Sequence, residues 1–486
     1  MELREEFPIL YNNIEIIVDD YKRNQETISI GDNLVPVVST DRLGDISWEN
    51  TIIVITSDYY QQAYEALCTN EIVQNCMNTI FYYANKETKQ ELFYRQKYKY
   101  DELRDLVVFR SGPHASAYVK GMDFSDNARA VFEYMIANGY NKKYEIVWLV
   151  KNPEEFARYS KYENVFFYSF DWVNSDNEEE KDLYYDALFH AKYLFFTDAY
   201  GFARNCRNDQ IRVQLWHGCG FKTRTNFVPC EKRYEINTVI SEKYAEIHEK
   251  IYGLRKDQVV VTGYPKEDWL FHPVDIEILQ ELGIPKSGKY IFWLPTFRTA
   301  VDRLGQLNEF EIESQTGLPI LYDMNALTEI NDLLKSQEIT LVIKLHPFQK
   351  REKMQCDKMS NIIMIDSEQL VTMDLQINQL LGWADALISD YSSAAIDYLI
   401  LNRPMAFTLD DIEEYEAGRG FVFDDIREWL PGMEVFDKDD LVRFIREIGQ
   451  DIDSALKKRE RIKAKLHKFS DDKSSLRVLE LLGIQM

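Results

Sequence analysis

The chain has 486 residues, enough for about two to four domains of ordinary size. Its composition, with 45% hydrophobic residues and few glycines and prolines, excludes a largely disordered chain. The net charge of −24 argues against broad nucleic-acid binding, which needs a basic surface, although a few well-placed donors suffice for a phosphate site.

Short apolar runs alternate with longer helical patterns, which predicts βαβ units, parallel sheets and an α/β fold. Residues 1–85 form a first block that resembles the later half of a Rossmann-like domain. Its opening strand and Gly-rich turn are missing, so we expect an accessory role and not dinucleotide binding. Its predicted elements are strands at Ile14–Val18, Val35–Val38 and Ile52–Ile55 and a helix over Ser57–Leu67. Residues 86–104 are charged and predict a linker helix.

A second block runs from about residue 105 to 265 and a third from about 266 to 450. The second block has strand candidates at Leu106–Phe109, Ile146–Val150, Tyr193–Thr197, Val213–Trp216 and Val259–Thr262. A Ser125-Asp126-Asn127 helix start precedes Ala128–Ala137, and an acidic helix start or solvated loop is expected around residue 178. The third block has strand candidates at Tyr290–Leu294, Leu341–Leu345, Ile362–Ile365, Ala386–Ser389 and Met405–Thr408.

Residues 451–486 are expected to form C-terminal helices. Within them, 456–468 carry seven Lys or Arg against one Glu, and such a basic helix can lie on an anionic membrane. The more ordinary interpretation is a solvated helix with Leu456, Ile462 and Leu466 packed on the body of the protein.

The cysteines and the start of the chain predict where the protein works. No two cysteines are spaced as C-x-x-C, so six reduced thiols are expected, as in an intracellular protein. The start lacks a basic segment followed by an apolar one. No apolar run approaches the roughly 18 residues of a membrane-spanning helix. We therefore expect a cytoplasmic protein, or one peripheral to the inner face of the cell membrane.

Two histidines follow predicted strands. His217 lies in QLWHGCGFKT and His346 in LVIKLHPF, each at a strand end. Ligands of open α/β sheets bind beyond the carboxyl ends of the strands. Either histidine alone is explained equally well as a structural residue, but equivalent positions in two successive blocks favour a function for both.

The segment ALISDYSSAAIDYLILNRP places a turn between a strand that ends at Ser389 and an apolar helix. Backbone N–H groups and the hydroxyls of Ser392 and Ser393 then lie at a helix start, which suits an anion. The alternative is an ordinary serine N-cap, and the spacing alone does not separate the two.

Cations follow other strands. Thr296 and Arg298 lie in LPTFRTA, and the planar guanidinium suits a diphosphate because it donates two parallel hydrogen bonds. Lys344 lies two residues before His346, so both side chains face the same way along a strand. Arg419 in GRGF adds a third cation.

Metal ligation is not expected. The D-x-D pairs at Asp437–Asp439 and Asp451–Asp453 do not follow a clear strand, which favours solvated helix residues. No GxxxxGK[ST], HExxH or GxSxG is present. We expect no metal and no cofactor.

Seven segments, in this order, resemble the CDP-glycerol glycerophosphotransferase family of teichoic-acid enzymes. They are FSDNARAVFEYM, QLWHGCGFKT, VTGYPKEDWL, LPTFRT, IKLHP, SDYSSAAIDYLILNRP and RGFVFD, and they span roughly residues 105–430. The resemblance implies a GT-B fold with two Rossmann-like lobes facing a cleft. In that picture the 105–265 lobe holds the acceptor and the 266–450 lobe holds the CDP donor.

The resemblance also implies roles for single residues. The family's WHG histidine falls on His217 and its HP histidine on His346, the two catalytic candidates. The donor-binding candidates are Thr296, Arg298, Lys344, Ser392, Ser393, Asp397 and Arg419. The acceptor-side candidates are Trp216, Gly218 and Lys222. Cys219-Gly220 replaces the family's usual Thr-Pro, which leaves acceptor choice open, and a Cys219 nucleophile would need an activating partner that the sequence does not reveal.

The expected activity is transfer of glycerol phosphate, or a similar polyol phosphate, from its CDP-activated donor to an acceptor hydroxyl in teichoic-acid or capsule synthesis, with release of CMP. His217 is expected to act as the base, and the cations to stabilise the transferring phosphoryl group. Three alternatives stay open: a nucleotide-sugar glycosyltransferase, a CDP-ribitol transferase and a non-catalytic binding module. The acceptor is expected to be a polyol-phosphate or lipid-linked glycan. Nucleic acid is not expected as a partner, and the sequence does not decide whether the protein forms a homo-oligomer.

Overall fold

The computed structural model describes residues 14–18, 27–30, 33–39, 42, 53–55, 80–82, 86–112, 120–198, 202, 206–222, 234–295, 299–301, 307–309, 316–344, 359–418 and 420–486. The chain divides into two compact units. The smaller contains Met1–Asp101, Val173–Lys181 and Asn205–Arg207, and the larger contains Glu102–Trp172, Asp182–Arg204 and Asn208–Met486.

The described residues of Met1–Asp101 in the smaller unit form two small sheets and one helix. Its elements are β1 (Ile17–Val18), β2 (Thr27–Ile30), β3 (Asn33–Val38), β4 (Ile53–Ile55), β5 (Ile80–Tyr82) and α1 (Lys86–Lys97). β3 pairs in parallel with β1 and antiparallel with β2, while β4 and β5 are parallel. The predicted helix over Ser57–Leu67 lies outside the described residues. Strand β2 was not predicted. The sequence does contain a hairpin signal, because Gly31-Asp32 lies between two runs rich in Ile and Val.

The larger unit begins with a seven-stranded, all-parallel sheet. We call this sheet, together with its helices, the first lobe. Its order is β12-β11-β10-β9-β6-β7-β8. The strands are β6 (Arg104–Gly112), β7 (Glu145–Val150), β8 (Val165–Ser169), β9 (Ala191–Asp198), β10 (Ile211–Gln214), β11 (Ile236–Val239) and β12 (Val259–Val261). The helices are α2 (Asp126–Ala137), α3 (Glu178–His190) and α4 (Glu242–Tyr252). The first residues of α3, up to Lys181, belong to the smaller unit. All five predicted strands are present, and β8 and β11 are additional.

A six-stranded, all-parallel sheet forms the second lobe, in the order β17-β16-β13-β18-β19-β20. Its strands are β13 (Lys289–Trp293), β16 (Ile339–Lys344), β17 (Ile362–Ile365), β18 (Ala386–Ser389), β19 (Met405–Thr408) and β20 (Met433–Val435). A separate hairpin is made by β14 (Thr299–Val301) and β15 (Leu307–Glu309). The central strands are mostly apolar and almost wholly buried, as expected where helices cover both faces of a parallel sheet.

Ten helices of the larger unit follow the first lobe among the described residues. They are α5 (Ile276–Glu281), α6 (Met324–Ser336), α7 (Ser367–Thr372), α8 (Ile377–Leu381), α9 (Ser393–Leu399), α10 (Ile412–Gly418), α11 (Ile426–Trp429), α12 (Lys438–Gly449), α13 (Leu456–Leu466) and α14 (Ser474–Leu481). Val478 and Leu479 of α14 lie in the core of the first lobe. The chain therefore crosses back to the first lobe after it completes the second. No helix in the described ranges is long and apolar enough to cross a membrane.

The basic segment 456–468 contains α13. The packing of this helix differs from the predicted packing at one position. Ile462 and Leu466 are buried as predicted, but Leu456 is 39% exposed, so the prediction that it packs on the body is wrong. Leu456 is the first residue of the helix, and Arg459 one turn later takes the inward position. The Arg459 side chain is fully buried and ion-paired with Asp453.

The D-x-D aspartates have structural partners. Asp437 caps α12 by accepting the N–H of Asp440 at 3.0 Å. Asp451 pairs with Lys289 at 2.6 Å. One aspartate of each pair thus has a structural contact, and the absence of a metal site stays a prediction.

The two lobes meet along the start of α2. The buried guanidinium of Arg129 pairs with Asp374 at 3.0 Å, and the Asp126 N–H donates to Gln376 Oε1 at 3.1 Å. Ser125 occupies the predicted N-cap position, but its hydroxyl donates to the Met122 carbonyl at 2.8 Å instead of capping the helix.

Candidate active site

The loop after β10 carries the WHG sequence and has an unusual backbone. Trp216 has φ +59° and Gly218 has φ +149°, both in the region that disfavours side chains. The Trp216 N–H donates to Gln214 Oε1 at 3.0 Å, and the Asn127 amide donates to the Trp216 carbonyl at 2.9 Å. These bonds hold the loop in a conformation that ordinary residues rarely adopt.

His217 lies next to a carboxylate. Its Nδ1 is 2.6 Å from Asp198 Oδ1, and its ring stacks on the buried Trp216 indole with centroids 5.2 Å apart. The His217 side chain is 32% exposed. With Nδ1 beside Asp198, Nε2 is the ring nitrogen left to take a proton, as in a histidine–carboxylate pair that acts as a general base.

Asp198 was not predicted as a site residue. It ends β9, which pairs in parallel with β10 immediately before the WHG loop. The strand-end rule that selected His217 applies equally to Asp198. Asp198 was overlooked because the sequence alone does not reveal that β9 and β10 are adjacent in the sheet.

Beneath the loop lies Lys266, in a 3₁₀ segment that covers Pro265–Phe271. Its ammonium donates to the His217 carbonyl at 2.5 Å and lies 3.2 Å from Asp397 Oδ2 and 3.5 Å from Asp126 Oδ2. Burial lowers the pKa of Lys266, but Asp126 and Asp397 outweigh burial and raise it above its ordinary value. The buried lysine is therefore charged.

The serine turn contacts this loop directly. Ser392 is the N-cap of α9 and accepts the N–H of Ala394 at 3.3 Å. A Cβ built on Gly218 would lie 2.9 Å from Ser393 Oγ, and one on Gly220 would lie 3.4 Å from Ser393 Cβ. The two glycines thus allow the start of α9 to approach the loop that bears His217.

Asp397, predicted to bind donor, lies inside this contact. It is 2% exposed and is paired with Lys266. Its role toward a donor stays a prediction, and its observed contact supports the loop from below.

Lys222, predicted on the acceptor side, lies where the lobes touch. Its backbone forms an antiparallel bridge with Phe421, and the Phe221 carbonyl accepts the Val422 N–H at 2.8 Å. The Lys222 ammonium lies 5.8 Å from the centroid of the Tyr415 ring. The motifs QLWHGCGFKT and RGFVFD are therefore neighbours in space.

Cys219 is buried, and its Sγ lies 3.0 Å from Tyr264 Oη. Burial raises the pKa of the Cys219 thiol well above its ordinary value. The thiol is therefore protonated near neutral pH and unsuited to nucleophilic attack, since the thiolate is the reactive form.

Four predicted site residues lie outside the described residues: Thr296, Arg298, His346 and Arg419. Their assignments stay predictions. Among the described residues, no group of three or more His, Cys, Asp or Glu is arranged to hold a metal ion.

Lys344 ends β16 at the carboxyl edge of the second lobe and donates to Ser367 Oγ at 2.8 Å. Burial lowers its pKa to about 8, against the opposing effect of Asp366. If Lys344 binds the donor diphosphate, raising the pH through about 8 removes its charge. We expect the donor KM to rise about tenfold per pH unit above that value.

Steady-state kinetics from pH 6.5 to 9.5 measure this dependence, with Lys344→Arg as the matched control. The arginine stays charged over the whole range, so its donor KM should stay flat. An equal rise in the two proteins would assign the titration to another group.

The two parallel sheets, with a C-terminal helix that returns to the first lobe, define a GT-B fold, as the sequence predicted. The structure of the wall teichoic acid polymerase TagF has this fold and aligns with a TM-score of 0.62 at 20% identity, covering 88% of this chain and 98% of that one. Residues 92–483 match the family model for CDP-glycerol:poly(glycerophosphate) glycerophosphotransferase. The chain belongs to this family.

Two curated relatives illustrate the range of the family. The teichoic acid poly(glycerol phosphate) polymerase of Staphylococcus epidermidis is 24% identical over 409 residues, covering 78% of this chain and 50% of that protein. The teichoic acid ribitol-phosphate polymerase TarK of Staphylococcus aureus is 27% identical over 309 residues, covering 60% of this chain and 56% of that protein. This chain thus spans about half the length of these relatives.

Proposed function

We propose that this chain transfers glycerol phosphate, or a similar polyol phosphate, from a CDP-activated donor to an acceptor hydroxyl of a teichoic-acid or capsule polymer. One observation carries the proposal: His217, beside Asp198, lies on the same loop as Gly218, which touches Ser393 at the start of α9. The contact supports the proposal that His217 as a base and the serine turn as an anion-binding element belong to one site.

In the proposed reaction, His217 Nε2 takes the proton of the acceptor hydroxyl as its oxygen attacks the polyol-side phosphorus. The phosphorus–oxygen bond to CMP breaks, and CMP leaves with the bonding electron pair. Asp198 stabilises the positive charge that the imidazole gains. A base placed in this way accelerates proton transfer by about 10²–10⁴-fold.

Negative charge grows on the transferring group and on CMP. Ser392, Ser393 and the backbone N–H groups that follow them are proposed to stabilise this charge, because the start of α9 lies against the loop of His217. Arg298, Lys344 and His346 complete the proposed set of charged groups, and Thr296 and Arg419 are further donor-binding candidates from the sequence. Such groups stabilise phosphoryl transfer by position and charge.

A CDP-ribitol donor is the second candidate, because a ribitol-phosphate polymerase is among the relatives. A grid of CDP-glycerol, CDP-ribitol and UDP-sugars against glycerol-phosphate and lipid-linked acceptors tests the proposal by mass spectrometry of the products. CMP release with a lengthened acceptor supports it. UDP release would indicate a glycosyltransferase, and tight donor binding without any product would indicate a binding module.

We further propose that the protein works in the cytoplasm, at the inner face of the membrane where lipid-linked acceptors are held. The exposed Lys457 and Arg461 lie one turn apart on α13 and face solvent together. Each such cation near an anionic surface contributes about 1 kcal/mol of binding. Co-sedimentation with anionic vesicles, but not with neutral ones, is the result expected.

A further inference from the structure

One buried ammonium joins three segments of the larger unit. Lys266 is 6% exposed and contacts the loop of His217, helix α9 through Asp397, and the start of α2 through Asp126. An ammonium offers three donors, and three oxygens from three different elements surround it. The Lys266 N–H also donates to Asn127 Oδ1 at 3.0 Å, and Asn127 in turn holds the Trp216 carbonyl.

This arrangement is poorly explained as a stabilising device. Two carboxylates face one ammonium, and Asp397 Oδ1 is buried without a hydrogen-bond partner among the described residues. Burial raises the pKa of the Asp126 carboxyl, with Lys266 and then His217 opposing the rise. Burying charges costs free energy, whereas burying a well-packed apolar group does not. We therefore look for the role of these charges in the positions that they impose on their neighbours.

Geometry is where Lys266 acts most directly. It binds the carbonyl of His217 itself, and its other close partner, Asp397, lies one turn along α9 from Ser393. Its Nζ would be 3.6 Å from a Cβ on Gly218, so it fills the space beneath the contact between the loop and the serine turn. A displacement of Lys266 therefore displaces His217 relative to the turn.

We propose that Lys266 is a positioning residue of the transfer reaction, which fixes the distance between the His217 base and the phosphate-binding turn. This inference rests on the proposed function. A misplacement of about 1 Å at a reacting centre can cost about 10²-fold in rate. We therefore expect Lys266→Met to lower kcat about 100-fold and to change the donor KM only a few-fold.

Removing the ammonium alone leaves two buried carboxylates and can prevent folding. The double variant Lys266→Met/Asp397→Asn removes both members of the ion pair. It therefore tests the positioning role even if the single variant does not fold. The matched control is Arg459→Met/Asp453→Asn. It removes another buried cation of the larger unit, Arg459 in α13, together with its partly exposed partner Asp453, which precedes that helix. We expect the control to keep kcat within about twofold, because Arg459 bonds to Asp453 and the Asn402 carbonyl and to neither the His217 loop nor the serine turn.

Histidine NMR gives a readout that does not depend on turnover. The protein has seven histidines, and labelling their Cε1 atoms with ¹³C allows the His217 signal to be assigned with His217→Gln. Lys266→Met and the double variant should shift the His217 signal and leave that of the exposed His272 unchanged. The control pair should shift neither.

The two proposals fail in different ways. If the wild-type protein releases no CMP from any donor, the proposed function fails and the NMR comparison still decides the role of Lys266. A folded Lys266→Met/Asp397→Asn protein with an unshifted His217 signal would overturn the positioning role. So would a fall in kcat without that shift, because the effect would then reach the reaction by another route.

Discussion

His217→Ala is expected to lower the rate of CMP release by about 10²–10⁴-fold while CDP still binds. The reason is that the imidazole, whose Nδ1 lies 2.6 Å from Asp198 Oδ1, is the proposed base that takes the proton of the acceptor. The rate is measured with saturating donor and acceptor: the reaction is stopped at intervals, and the CMP released is quantified by chromatography. Calorimetry with CDP measures binding separately.

Two further variants sharpen this prediction. Asp198→Asn keeps the size of the side chain but removes the charge that stabilises the imidazolium, so its rate should lie between those of wild type and His217→Ala. His272→Ala alters an exposed histidine paired with Asp472 and should leave the rate unchanged. Full turnover by His217→Ala would remove the base assignment.

Gly218→Ala is the second substitution with a large expected effect. The new methyl group would lie 2.9 Å from Ser393 Oγ, on a residue whose φ of +149° disfavours any side chain. Backbone strain of this kind costs about 1–3 kcal/mol, and overpacking costs a similar amount. We expect lower thermal stability and a loss of at least about tenfold in kcat/KM, because the serine turn moves away from His217.

Gly283 supplies the matched control for this substitution. It also has positive φ, +81°, but a Cβ there meets nothing within 4 Å. Gly283→Ala should therefore lower the melting temperature through backbone strain alone and keep activity. Adding Ser393→Gly to Gly218→Ala should restore stability if the steric contact dominates. Unaltered activity in Gly218→Ala would show that the turn and the loop need not touch.

The central strands of both lobes were predictable because they are buried on both faces. Inside the sheet of the second lobe, β18 and β19 were predicted at the bounds that the structure shows, since apolar residues make up three of the four positions in each. The edge strand β17, whose four residues are all apolar, was also predicted at its observed bounds. β11 was missed because Asn237 and Thr238 make up half of it. Both are fully buried, and the Thr238 hydroxyl donates to the Leu215 carbonyl at 2.9 Å. Partners from distant parts of the chain make such polar strands possible, and sequence periodicity does not show them.

The same limit applies to the site. His217, Ser392 and Ser393 were predicted because they follow strands within recognisable motifs. Lys266 was quoted inside VTGYPKEDWL, but no strand end marked it, and its three oxygen partners come from three other segments. The sequence therefore predicts groups at strand ends, while the groups that support them from below are defined only by the packing of the lobes.

A crystal structure of the protein with CDP-glycerol bound would test the central idea most directly. We predict that the diphosphate lies between His217 Nε2 and the Ser392–Ser393 turn, within hydrogen-bonding distance of the turn. A diphosphate bound elsewhere, with His217 facing away from it, would contradict a shared site for the base and the phosphate-binding turn.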